Sequence, residues 1–173
     1  MMTKKNLLPL LLLWCELCAL CELCACGFYT FSGSTLPSHL KTVDIPLFAN
    51  QSLQPGVAEE VTTALTTRVV SMNLLRVTSG TGDATISGKV IDYSNTPRNY
   101  GTTGVRQVTV SEYAVHITVD VEFTDNKSNS PLFKGKITGE GIYDFTSQTE
   151  ALGRTNAEKD VVDQILQHSV QSW

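Results

Sequence analysis

Cysteine is the side chain in this sequence best able to do chemistry, and all five cysteines fall within the first 26 of 173 residues. Cys15, Cys18, Cys21 and Cys24 recur at every third position, a spacing that iron–sulfur clusters also use. The pairs between them are Glu-Leu and Ala-Leu in a leucine-rich stretch, and no cysteine follows Cys26 to complete a folded ligand shell. The three histidines, His39, His116 and His168, lack the neighbours that a metal site or a catalytic triad would place beside them. Asp120 and Glu122 stand two apart, which on a strand would make them a carboxylate pair on one face, but a solvated sheet face carries the same alternation. Ser79-Gly80-Thr81-Gly82-Asp83 has the glycines of a phosphate loop, yet it leads into the strand-like Ala84-Thr85-Ile86. Gly88-Lys89 then continues into Val90 rather than Ser or Thr, so the cluster reads as a turn. With no Gly-x-Ser-x-Gly or His-Glu-x-x-His present, the sequence predicts no catalytic residues, no metal and no cofactor.

One cysteine does have a chemistry written around it. The chain starts with Lys4 and Lys5, continues as an apolar run over residues 7–14 broken by Pro9, and places small Ala25 just before Cys26. That is the order of a secretory signal. Leu23-Cys24-Ala25-Cys26 has the form of a bacterial lipobox, in which the thiol of the last cysteine is acylated and its residue becomes the new N-terminus. Cys24 occupies the position where Ala, Ser or Thr is commoner. An uncleaved span would want about 20 apolar residues, and this segment contains Glu16 and Glu22. The expected division is therefore a cleaved signal peptide over residues 1–25, a lipidated tether over 26–40 and a folded domain over 41–173. Gly27 follows the cysteine in place of the Asp that commonly retains such proteins in the inner membrane, which points to the periplasmic face of the outer membrane.

Once the signal is removed, no cysteine is left for a disulfide. The remaining chain, roughly 148 residues, must be held by an apolar core, and one domain of that size buries enough surface to do so. The net charge is −4, and the removed lysines and glutamates cancel, so the balance argues against nucleic acid as a partner.

The elements that must carry any site follow from periodicity. Residues 41–48 alternate Val43, Ile45 and Leu47 with polar positions and predict a first strand, with Pro46 at an edge or end. Residues 50–54 turn the chain. Pro55 then suits a first helical position, with Glu59 and Glu60 near the positive end of the dipole. Val57, Val61, Ala64, Leu65, Val69 and Met72 make one apolar face of a helix reaching about Asn73. Residues 74–78 and 84–93 are predicted strands, the second with a bulge near Gly88, and residues 96–107 a flexible loop. Val115, Ile117, Val119, Val121 and Phe123 alternate with His116, Thr118, Asp120 and Glu122 in the clearest period-two pattern of the chain. Residues 132–145 return as a strand punctuated by glycine. A closing helix carries Ala157, Val161, Val162, Ile165, Leu166 and Val170 on one stripe, with two candidate starts, Ser147-Gln148-Thr149-Glu150 and Thr155-Asn156-Ala157-Glu158. The order strand, helix, strands, helix predicts an α+β fold: one mixed or antiparallel sheet of four to five strands with two helices on one face.

Several stretches together resemble one family. They are Cys26-Gly27-Phe28-Tyr29-Thr30-Phe31-Ser32-Gly33, Leu36-Pro37, His39-Leu40-Lys41-Thr42 leading into Ile45-Pro46, Phe48-x-Asn50, and Pro55-Gly56-Val57 at the helix start. With Tyr93, Glu112-Tyr113 and the terminal Trp173 they are similar to the LptE-type lipoproteins of lipopolysaccharide assembly, in the branch found outside enteric bacteria. The resemblance implies a non-enzymatic partner of the outer-membrane β-barrel translocon LptD that helps the barrel fold and contacts lipopolysaccharide. A lipopolysaccharide site needs cations for phosphates and acidic sugars, and Arg suits phosphate best because of its planar fork. Arg98 and Arg106, bracketing Tyr100, Gly101 and Gly104, are the first candidates; Lys134 and Lys136 on the following strand are the second. The competing class is an envelope lipoprotein that carries a small ligand or serves another transporter.

Overall fold

The computed structural model describes residues 36–102 and 108–170, which fall in one unit, Ser34–Trp173. Cys26, the predicted signal and most of the predicted tether lie outside the described residues. The elements are β1 (Thr42–Asp44), β2 (Ala49–Asn50), α1 (Val57–Met72), β3 (Arg76–Thr78), β4 (Ala84–Thr102), β5 (Val108–Asp125), β6 (Ser130–Asp144) and α2 (Glu150–Val170). They form one mixed sheet in the order β3-β1-β4-β5-β6, with β2 also paired to β4. β1 runs parallel to β3 and β4, whereas β4, β5 and β6 form an antiparallel meander. This is the expected α+β class, with six strands rather than four to five. The added strand arises where a single first strand was expected. Pro46, which has no N–H for a ladder, falls between Asp44 and Ala49, and the chain resumes pairing only at β2.

Strand alternation decides which face is core. Val115, Ile117, Val119, Val121 and Phe123 of β5 are all at 0% exposure. The register sets Ile86 and Val90 of β4 beside Phe123 and Val119, and Ile137 of β6 on the other side of Val119, so one face is apolar across three strands. Both helices lie on it. α1 contributes Val57, Ala58, Val61, Leu65 and Val69, and α2 contributes Ala157, Val161, Val162, Ile165 and Leu166, all buried. Thr63, on the other side of α1, is exposed.

Glycines set how closely α2 can lie. A Cβ on Gly141 would run into the carbonyl oxygen of Gly153, and one on Gly139 into that of Ala157, so the bare backbone of β6 forms the bed of the helix. Gly88 serves a related purpose, because a Cβ there would come within 2.5 Å of the Phe48 ring. The bulge expected at Gly88 lies instead between Val90 and Asp92. The predicted loop over residues 96–107 is also corrected. β4 extends to Thr102, because register shifts around Asn99 let the ladder pass Pro97, and residues 103–107 lie outside the described residues.

The helix ends follow local chemistry. Gly56 takes φ 81°, and α1 starts at Val57, so Pro55 stands ahead of the helix rather than at its first position. Asn50 shapes the preceding turn: its Oδ1 accepts from Ser52 N–H and Oγ–H, and its Nδ2 donates to the Gln54 carbonyl at 2.8 Å. At the start of α2 the upstream candidate is used. The Thr149 carbonyl accepts from the N–H groups of Leu152 and Gly153, and the helix runs through Gly153.

Candidate functional site: an open, charged sheet face

Burying the odd positions of β5 sends His116, Thr118, Asp120 and Glu122 to the opposite face, which no helix covers among the described residues. Parity places Ser87 and Lys89 of β4, and Lys134, Lys136, Thr138 and Glu140 of β6, on that same face. Glu122 stands directly opposite Lys134, and Asp120 lies between Lys89 and Lys136. Lys134 Nζ donates to Glu122 Oε2 at 2.9 Å, and this bond, with the carboxylate's charge, holds the ammonium above its ordinary pKa. Lys89 Nζ lies 3.3 Å from Asp120 Oδ2. Asp120 is thereby engaged by Lys89, and no ion pair engages Lys136 among the described residues. Between these strands runs an open groove of about 340 Å³ lined by Ser87, Gly88, Lys89, Asp120, Glu122 and Lys134.

Farther along the face Thr118 and Thr138 share a hydrogen bond at 3.0 Å, and Arg98 reaches across β5 to bring Nε within 3.7 Å of Glu140 Oε1. Arg98 thus joins the lysines on one face, its partner Glu140 lying about 13 Å along β6 from Lys136 at ~3.3 Å per residue. Tyr100 lies on β4 rather than in a loop. Arg106 lies outside the described residues. Of the sequence candidates, then, Arg98, Lys134 and Lys136 share the open face. Lys89 shares the face as well, and the alternation of Ile86, Gly88 and Val90 against Ser87 and Lys89 carries the signal for it.

The remaining polar clusters secure the fold. His39 Nε2 and Asp125 Oδ2 are 2.9 Å apart, and Ser128 Oγ donates to the same oxygen at 2.8 Å. The Ser128 hydroxyl, the Lys127 N–H and His39 together bring the Asp125 carboxyl down to about 2, despite its burial. Serine and histidine both bond the aspartate, so no nucleophile–base pair is formed. Asp83 accepts from Lys41 N–H, Thr42 N–H and Thr42 Oγ1–H, fixing the incoming chain at the same sheet end. Leu40, within the predicted tether, is buried there. His168 stacks on Phe133 with ring centroids 5.4 Å apart. No group of three or more His, Cys, Asp or Glu side chains could hold a metal ion among the described residues.

Comparison with known proteins bears on what this scaffold belongs to. The chain is similar in fold to the PelC dodecamer from Paraburkholderia phytofirmans, with 15% identity, coverage of 74% of this chain and 87% of that one, and a TM-score of 0.51. It is similar also to the hypothetical protein CT253 from Chlamydia trachomatis, with 9% identity, coverage of 75% and 98%, and a TM-score of 0.52. At such identities the likeness is one of fold. No curated protein matches the sequence. Residues 40–169, nearly the whole described domain, match the lipopolysaccharide-assembly family LptE, and the chain belongs to that family.

Proposed function

We propose that the chain acts in lipopolysaccharide assembly as an outer-membrane lipoprotein, anchored through acyl chains on Cys26. In this reading it serves as partner and assembly aid of an LptD-type β-barrel, and its open sheet face meets the phosphates of lipopolysaccharide. Family membership supports the process. The observation that carries the contact is the lysine strip of the open face, where Lys136, without an ion pair among the described residues, stands beside the paired Lys134 and across β5 from the paired Lys89. An arriving phosphate would gain charge-assisted hydrogen bonds from Lys136 at once, and Lys134 could turn to it from Glu122. Arg98 would extend the strip toward the free end of the β4–β5 hairpin. Carriage of a small ligand has weaker support. The concavities of about 340 and 300 Å³ are open grooves, and the more enclosed apolar pocket between the helix ends, lined by Met72, Leu74, Leu75 and Phe123, holds about 10 Å³, the room of a single water.

Binding of purified lipopolysaccharide tests the contact. Lys134→Gln with Lys136→Gln leaves the core untouched and is expected to weaken binding about tenfold and flatten its dependence on salt. Unchanged affinity in that variant removes the lysine strip from the site. A loss confined to Arg98→Ala with Arg106→Ala would move the site to the hairpin end.

A further inference from the structure

Beside β4, along the N-terminal halves of the two helices, five ionisable side chains come together. Glu150, Arg154 and Glu158 are four residues apart and so share one stripe of α2. Glu60 comes from the first turn of α1 and Tyr93 from β4. The Tyr93 hydroxyl donates to Glu150 Oε1 at 2.6 Å, which occupies that carboxylate. Arg154 Nε lies 3.2 Å from Glu60 Oε2, and the Glu158 carboxyl lies against Glu60 as well. Glu60 Oε2 is itself buried and has no well-aligned hydrogen-bond donor. Glu60 and Glu158 therefore face a single guanidinium, with a buried acceptor waiting for a proton.

We propose that Glu60 and Glu158 form a proton-operated clasp between α1 and α2. With one proton shared between them, the Glu158 carboxyl donates to Glu60 and the helices are held together. Without it, two carboxylates stand against Arg154 alone and α1 loosens from α2. Among the described residues, the other charged groups around Glu158 do not supply a second counter-ion. Arg68 on α1 is engaged by Asp163 at 3.1 Å, and Lys159 is exposed on the rim of the groove of about 300 Å³ that Glu158 also lines.

Burial first, and then the bond to and charge of Glu60, push the Glu158 carboxyl up to about 7, with Arg154 opposing. Its ordinary value, 4.5, applies in the unfolded chain. Between these values the native state keeps a proton that the unfolded state has lost, so this contribution is full below about pH 4.5 and is lost as pH rises through 7. The inference rests on the helix pair and is independent of the proposed lipopolysaccharide contact.

Hydrogen exchange of the full chain at pH 6 and pH 8, corrected for intrinsic rates, reads the clasp directly. Protection of the α1 amides is expected to fall about tenfold over that interval, and Glu158→Gln is expected to hold it constant. Unchanged protection in the wild type overturns the proposal, as does an equal fall in Glu158→Gln, which would take the titration away from the Glu60–Glu158 pair. A fall shared equally by the β5 amides also overturns it. Should Glu158→Gln fail to fold, Glu60→Gln removes the other carboxylate and its share of the shift; the fall between pH 6 and 8 should then shrink, and an undiminished tenfold fall contradicts the clasp.

Discussion

Ile165→Ala and Leu65→Ala are each expected to destabilise the chain by about 2 to 5 kcal/mol, the range for truncating a buried aliphatic side chain whose cavity cannot fully collapse. Both side chains are at 0% exposure, one on each helix, and both face the same side of the sheet. A domain of this size is stable by about 5 to 15 kcal/mol, so either change removes a large share. Thr63→Ala, on the exposed side of α1, should cost little. Denaturant melts with unchanged slopes give the comparison. Comparable losses at all three positions would mean that the covered face of α1 is wrongly assigned.

Gly141→Ala is expected to cost more than the ~1 to 3 kcal/mol of ordinary overpacking, because the added Cβ meets backbone that cannot rotate away. Its nearest obstacles are the Gly153 carbonyl and the Ala157 nitrogen, both on α2. The helix must lift from β6, and Val161 and Ile165 would lift with it. Gly135→Ala on the same strand is the control. Its Cβ would sit 3.1 Å from Phe133 Cζ, the end of a side chain that can shift, so its cost should be small. Equal melting curves for the two variants would show that the glycine bed does not set the helix position.

These contrasts mark where the sequence was legible. The β5 alternation and both helix stripes could be read locally, because period and face are the same information there. The stripes at Leu65 and Ile165 accordingly lie where periodicity placed them. Gly88, Gly139 and Gly141 look alike in sequence, as interruptions of a strand, yet each is a contact surface whose partner, Phe48, Ala157 or Gly153, is supplied by tertiary packing. The extension of β4 past Pro97 was hidden by a turn-like composition, and only pairing with β5 across a bulge reveals it. His39 is bonded to Asp125, 86 residues away, a partnership without local signature. Lys89 was legible by parity. What singles it out is Asp120 on the neighbouring strand, and that required the register.

The central claim, that this lipoprotein-like chain serves lipopolysaccharide assembly beside a β-barrel, is tested most directly by capturing the full chain from mildly solubilised outer membranes. The chain is expected to arrive with acyl chains on Cys26 by intact mass, with a large β-barrel protein and with bound lipopolysaccharide. Recovery of an unacylated chain, or of an acylated one bringing neither barrel nor lipopolysaccharide, would contradict it.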